Sequence, residues 1–224
     1  MQPTFLYHAL ATGISGQITL PFQQVIEVKA PSALPFTGGH SSSRTEHYSF
    51  KDIMSFAAAS TMTTGSESDN SFHTVATATI EGLNILDVVK ADRVVARVAS
   101  KYAKGNGARS VTFAGSLIEN LRIGGHPLDV VIDPGQMKAA RRTDRAQLGT
   151  CVTPINLKGA FGLEQLPDGG IHVPEFGKVY LLESLITSHY QTLSMLRVEL
   201  GCAVEGHFAA AHASTNGEPM PGLG

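Results

Sequence analysis

The sequence predicts a single all-β domain over residues 1–224, mostly antiparallel and sandwich-like, with one short helix. Small polar and apolar residues alternate along Phe72–Ile85, which is the period of a strand with one buried face. Valine recurs through Asp87–Lys101, and β-branched residues favour strands. Gly-rich turns such as KGNGAR separate segments of roughly eight to twelve residues, a length typical of hairpins in a sandwich. A β-solenoid is the alternative, because IEGLNI at 80–85 resembles ENLRIG at 119–124.

Turn residues divide the N-terminal part into short segments. Gly13–Val28 predicts two short strands or one bulged strand at a sheet edge, because Pro21 interrupts it. Ala30–His40 contains two prolines and a glycine pair, which predict a loop. We expect Ile53–Thr64 to form a hairpin with the strand that follows it, although Ser49–Asp52 also resembles the capping box of a helix.

The segment 133–149 is predicted to be a short helical insertion. Asp133 can cap this helix, Pro134 suits its first turn and Gly149 can end it. Its basic residues are spaced three and four apart and share one face, which comprises Lys138, Arg141, Arg142 and Arg145. This face suits binding to an acidic partner or to phosphates; the alternative is a solvated face whose arginines pack over apolar neighbours.

Hairpins are predicted again after the helix. The predicted strands are Val152–Leu157, Ile171–Val173, Val179–Ile186 and Leu193–Leu200. Residues 212–224, HASTNGEPMPGLG, have the composition of a mobile tail.

Composition and charge argue against several classes of partner. The chain has 17 basic and 19 acidic residues, so there is no global electrostatic case for binding nucleic acid or an anionic membrane. No stretch reaches the ~18 apolar residues of a membrane-spanning helix. The first twenty residues lack the features of a secretory signal, which predicts a cytoplasmic protein.

A search for catalytic motifs predicts neither a cofactor nor a metal. Cys151 and Cys202 have no second Cys or His at the spacing of zinc ligands, and we expect two free thiols rather than a disulfide. The nucleophile motifs G-x-S-x-G and S-x-x-K and the phosphate-binding glycine loops are missing from the sequence.

The histidines provide the candidates for catalysis. His207 and His212 are five residues apart in an extended segment and are expected on opposite faces. His126 near Asp129 in a turn, with His172 elsewhere in the chain, is the set most like a site, because a carboxylate can orient a histidine as a base or a ligand. The alternative is an ordinary surface turn.

One stretch of the chain resembles a known family. An alternating VATATIEGLNILDVVKADRVVARV is followed by SLIENLRIGGHPLDVVID, IHVPEFGKVYLLE and LSMLRVEL. In type and order these segments resemble the choice-of-anchor P domains of bacterial surface proteins and related uncharacterised bacterial proteins, over residues 74–200. The resemblance implies an all-β domain of unknown activity, often extracellular, and so gives an alternative to the cytoplasmic location.

Three hypotheses of function follow. The first is a non-enzymatic structural protein that forms homo-oligomers through the edges of its sheets. The second is a module that binds a protein or a small molecule, using the loop Pro31–Arg44 or the basic face at 138–145. The third is an enzyme of unrecognised type that uses the His126, Asp129 and His172 set.

Overall fold

The computed structural model describes residues 5–132, 147–150, 162–187 and 190–219. Within them, seventeen strands form two antiparallel sheets, which confirms the predicted all-β, sandwich-like class over the solenoid. Sheet A has the order β13-β14-β15-β16-β17-β1-β2, with β3 on β1 and β12 on β15. Sheet B has the order β11-β10-β7-β6-β5-β4, with β8 and β9 on β7.

The strands of sheet A come from both ends of the described chain. They are β1 (Phe5–Leu20), β2 (Gln24–Lys29), β3 (Ser32–Ala33), β12 (Gln147–Thr150), β13 (Glu164–Gln165), β14 (Ile171–Val173), β15 (Gly177–Ile186), β16 (Gln191–Cys202) and β17 (Val204–Pro219). The strands of sheet B are consecutive in sequence. They are β4 (Gly39–Phe50), β5 (Met54–Glu67), β6 (Ser71–Ile85), β7 (Val89–Ala103), β8 (Arg109–Thr112), β9 (Leu117–Glu119), β10 (Arg122–Ile123) and β11 (His126–Pro127).

The long hairpins of sheet B form where the alternating pattern predicts them. Strand β5 covers all but the first residue of the predicted Ile53–Thr64 segment, so the hairpin prediction is confirmed and the capping-box alternative is wrong. A tight turn joins β5 to β6, in which the Ser68 N–H donates to the Ser71 carbonyl at 2.8 Å. Buried Ala76, Ala78 and Ile80 on β6 face the core, as the period of two requires.

The predicted C-terminal tail is wrong for residues 212–219, which belong to the central strand β17. This strand pairs with β1 on one side and with β16 on the other. Its small residues leave room for large side chains of the neighbouring strand. A Cβ at Gly217, for example, would be 2.5 Å from the Phe5 ring. Composition misled the prediction, because Ala, Ser, Thr and Gly are also what a tightly packed central strand requires.

Rows of irregular residues cross both sheets and reset the alternation of side chains. In sheet A, Leu182 and Ala211 have φ of 52° and 51°, and the register skips them together with Met195 and Gly13. In sheet B, His47 and Gly82 have φ of 50° and 63° and lie in the equivalent row. In each row both paired strands skip one residue, so the register continues unchanged, while the positive-φ residue inverts the alternation of side chains along its strand.

The positive-φ residue Ala211 corrects the prediction for the two C-terminal histidines. Phe208 and Ala213 both face the core, although they are five residues apart. His207 and His212 therefore share the outer face of sheet A rather than opposite faces, opposite Glu199 and Ser194 of β16.

The hydrophobic core lies between the two sheets and is closed at one end by aromatic rings. Phe5 of sheet A stacks on Phe72 of sheet B with ring centroids 4.2 Å apart, and Tyr7 and Tyr102 complete the group. Such pairs contribute about 1 kcal/mol each beyond the area that they bury. They couple the beginning of β1 to the hairpin of β6 and β7.

The helical prediction fails where the structure tests it. Residues 147–149 lie in β12, which pairs with Glu183–Ile186 of β15, so the backbone groups there bond between strands rather than within a helix. The remainder of the predicted helix, 133–146, lies outside the described residues, as do Cys151 and the side chain of Cys202. Within the described ranges there is no helix that could span a membrane.

The segment Pro31–Arg44 is only partly the loop that was predicted. Ser32–Ala33 pairs with β1, and β4 begins at Gly39. The turn before β4 is closed by the Gly38 N–H, which donates to the Pro35 carbonyl at 2.9 Å, and Gly38 and Gly39 both have positive φ. The prolines correctly indicated a turn, but the polar run after the glycine pair belongs to a strand.

Candidate functional site

The most distinctive surface feature is the free edge of β4. This strand has twelve residues and lies at the end of sheet B, paired on one side with β5. No described strand pairs with its other side. An edge of this kind presents unpaired N–H and C=O groups that can accept another strand.

The turn between β5 and β6 determines which β4 residues have their backbone groups at the free edge. Because Ser68 donates to Ser71 directly opposite it, the even-numbered residues of β5 between 58 and 66 bond to β6. Its odd-numbered residues therefore bond to β4, for example Thr61 to Ser43. The β4 residues with outward backbone groups are His40, Ser42, Arg44 and Glu46.

The side chains of this edge are polar and of mixed charge. Arg44 and Glu46 form an ion pair at 2.7 Å, with side chains 62% and 54% exposed. The run GHSSSRTE, residues 39–46, contains no lysine and no proline, two of the residues that commonly protect an edge from pairing. The first interruption of the pairing with β5 is at His47, which has positive φ.

The other described edges are much shorter. Strand β13 at the far end of sheet A and β11 at the far end of sheet B have two residues each. Strand β2 has six residues, and its register against β1 shifts near Gly16. Exposed Val25 and Val28 lie on β2, but the strand is too short to offer a long ladder. The β4 edge therefore has the largest capacity for pairing.

A charged cluster on the outer face of sheet A is satisfied internally. Arg197 donates to both carboxylate oxygens of Glu183 at 2.7 and 2.8 Å and also bonds to Glu199. Its guanidinium carbon lies 3.8 Å from the centre of the Tyr180 ring. The hydrogen bonds that Arg197 donates to Glu183 raise the pKa of Arg197, whereas burial lowers it. The arrangement strengthens the pairing of β15 with β16.

The Tyr180 hydroxyl extends this cluster to a turn. It donates to Asp168 at 3.1 Å, and the Gly170 N–H donates to the same carboxylate. The Gly170 N–H is the main cause of the lowered pKa of Asp168, whereas burial raises the pKa of Tyr180. These groups hold the turn before β14 in place.

A second histidine environment was missed by the sequence reasoning. The Ser194 Oγ lies 2.7 Å from His212 Nδ1 on the outer face of sheet A. Burial lowers the pKa of His212, so this imidazole is neutral at neutral pH. No sequence signal predicted the pair, because residues 18 positions apart meet only through the register of β16 and β17.

The histidines predicted as a site lie in different sheets. His126 is in β11 of sheet B, opposite Ile123, and Asp129 follows it in an exposed loop. His172 is in β14 of sheet A, opposite Glu164 and Lys178. Among the described residues, no group of three or more His, Cys, Asp or Glu is arranged to hold a metal ion. The basic set Lys138, Arg141, Arg142 and Arg145 lies outside the described residues.

Comparison with known proteins gives one match. Residues 5–147, more than half of the chain, match the model of a domain of unknown function, DUF8256. The chain belongs to the DUF8256 family. No curated protein and no solved structure matches it. The resemblance to choice-of-anchor P domains is not tested by this match and stays a prediction.

The DUF8256 match includes the whole of sheet B and the open edge of β4. In sheet A it includes β1 to β3 and only the first residue of β12. Strands β13 to β17, which complete sheet A, lie beyond the matched residues. The candidate edge is thus a feature of the part of the chain that DUF8256 defines.

Proposed function

We propose that this protein is a non-enzymatic structural protein that assembles through the edges of its sheets. The observation that carries the proposal is the open edge of β4, which has twelve residues in a sheet whose opposite end is a two-residue strand. Unpaired backbone groups along an exposed edge favour the addition of a strand. The absence of lysine and proline from residues 39–46 supports the same conclusion.

The polar groups of sheet A support a structural role. Arg197 binds two carboxylates of its own sheet, and Tyr180 binds Asp168. Ion pairs and charge-assisted hydrogen bonds within the fold stabilise it, and here these groups bind one another.

The proposal is tested by the mass of the protein in solution. Sedimentation velocity over a hundredfold range of concentration should show a discrete oligomer or a growing polymer. A protein that stays strictly monomeric at the highest concentration would contradict the proposal.

A further inference from the structure

We propose that β4 pairs with β4 of a second copy of this chain, antiparallel, about a two-fold axis at Ser43. This inference rests on the proposed function and specifies its interface. The occupant of the edge is thus another DUF8256 domain, and the two B sheets join into one continuous sheet.

The pairing follows from the straight part of β4. Residues 39–46 pair with β5 without a gap, and the unpaired residue His47, at positive φ, ends this part. A two-fold axis at Ser43 pairs residues 40–46 of the two copies, because it places His40 opposite Glu46 and Ser42 opposite Arg44 of the second copy. All four of these residues have outward N–H and C=O groups, so each outward group in the segment gains a partner.

Side-chain charge and backbone geometry favour this register over those with the axis at Arg44 or Thr45. With the axis at Ser43, Glu46 faces a histidine and Arg44 faces a serine, and no like charges are directly opposite. With the axis at Arg44, the two Arg44 side chains would lie directly opposite each other, and this pair of like charges is destabilising. With the axis at Thr45, Ser43 would face His47, so the irregular residue would lie within the ladder rather than at its end.

Disulfide trapping tests the register directly. In a Cys151→Ser, Cys202→Ser background, the Ser43→Cys variant should form a covalent dimer on mild oxidation. Directly opposed residues of a non-hydrogen-bonded pair have Cα atoms about 4.5 Å apart, within the range of a disulfide. The Ser41→Cys and Thr45→Cys variants are matched controls on the same face of β4. Their Cα atoms are offset by four residues, about 13 Å, which is too far to bridge.

Opposite charges at position 42 provide a second test, measured as the dissociation constant in sedimentation equilibrium. Ser42→Lys places a cation opposite Arg44 twice per dimer and should weaken association about 5- to 10-fold. Ser42→Glu places an anion there and should strengthen it by several-fold. Met62→Lys is the control, because Met62 is exposed directly beside Ser42 but on β5, one strand away from the edge. It should leave the dissociation constant within about twofold of wild type.

The outcomes separate this interface from the general proposal. Strong cross-linking by Ser43→Cys with opposite effects of Ser42→Lys and Ser42→Glu supports β4 pairing. An oligomer that is insensitive to both Ser42 variants and fails to cross-link through Ser43→Cys overturns this interface but leaves assembly through another edge. Preferential cross-linking by either control, or a loss of association only in Met62→Lys, also overturns it. A protein that is monomeric throughout overturns both.

Discussion

Gly13 in sheet A lies so close to Ala59 in sheet B that a Cβ placed on the glycine would be 2.9 Å from the Ala59 Cβ. The same Cβ would be 2.9 Å from the Lys29 carbonyl oxygen. Both neighbours belong to strands, so neither can move without disturbing its own ladder.

Gly13→Ala should therefore destabilise the protein by about 1–3 kcal/mol, the usual range for overpacking a core. Chemical denaturation measures this change in the free energy of unfolding. Gly201→Ala is the matched control, because a Cβ at Gly201 of β16 meets nothing within 4 Å. That variant should be neutral or slightly more stable, since alanine reduces the freedom of the unfolded chain. Equal stability of the two variants would show that the sheets can separate at Gly13 without cost.

Two buried threonines of β5 should respond in opposite ways to removal of the hydroxyl. The Thr61 hydroxyl donates to the Ala30 carbonyl at 2.9 Å, whereas the Thr63 hydroxyl has no hydrogen-bond partner in the described part of the chain. Thr61→Val should lower the free energy of unfolding by about 1–2 kcal/mol, because it leaves a buried carbonyl with one hydrogen bond fewer. Thr63→Val should raise the free energy of unfolding by about 1 kcal/mol, because valine has the same shape and no polar group to bury. Thermal unfolding of the two variants side by side provides the measurement; a loss of stability in Thr63→Val would contradict the expectation.

His47 should be replaceable by glycine with a gain in stability. It is exposed and has a φ of 50°, a left-handed conformation that costs a non-glycine residue about 1 kcal/mol. His47→Gly should therefore raise the free energy of unfolding by up to about 1 kcal/mol. Ser66→Gly provides the control, since Ser66 is exposed in the regular part of β5, where glycine weakens a strand. The idea fails if both substitutions destabilise equally.

The burial of His212 should make stability depend on pH. Burial lowers the pKa of this histidine in the folded protein below its ordinary value of 6.5. Below that value the unfolded chain binds a proton that the folded protein resists, so stability is present above pH ~6.5 and decreases as the pH falls from there. The melting temperature of wild type should therefore decrease between about pH 7 and pH 5 more than that of His212→Gln. Parallel curves for the two proteins would argue against this contribution.

The sequence predicted the elements whose faces differ most in polarity. Alternation along Phe72–Ile85 and the valines of the next segment indicated β6 and β7, and turn residues marked the ends of their hairpins. Strand β4 was missed because its half-buried face carries Ser and Thr rather than large apolar residues, so neither face gives a hydrophobic signal. Its end also resembled a capping box, which is a local pattern that tertiary pairing with β5 overrides.

The sequence predicted the type of candidate site, a sheet edge, but not which strand forms it. Assembly through sheet edges was expected from the all-β class, but the identity of the edge depends on the order of strands. The pair of Ser194 with His212 depends in the same way on the register of β16 and β17. Sequence spacing cannot supply such contacts, because they join residues far apart in the chain.

By itself, the sequence determined that this chain forms antiparallel strands with one face buried, because a period of two is a property of the local backbone. The tertiary structure alone decided that the apparent C-terminal tail is a central strand through residue 219 and that no described strand pairs with the outer side of β4. It also decided where positive-φ residues invert the alternation of side chains, as at His47 and Ala211. The physical reason is that strand order and register are set by the packing of the two sheets on each other, a sum over distant contacts that no local pattern contains.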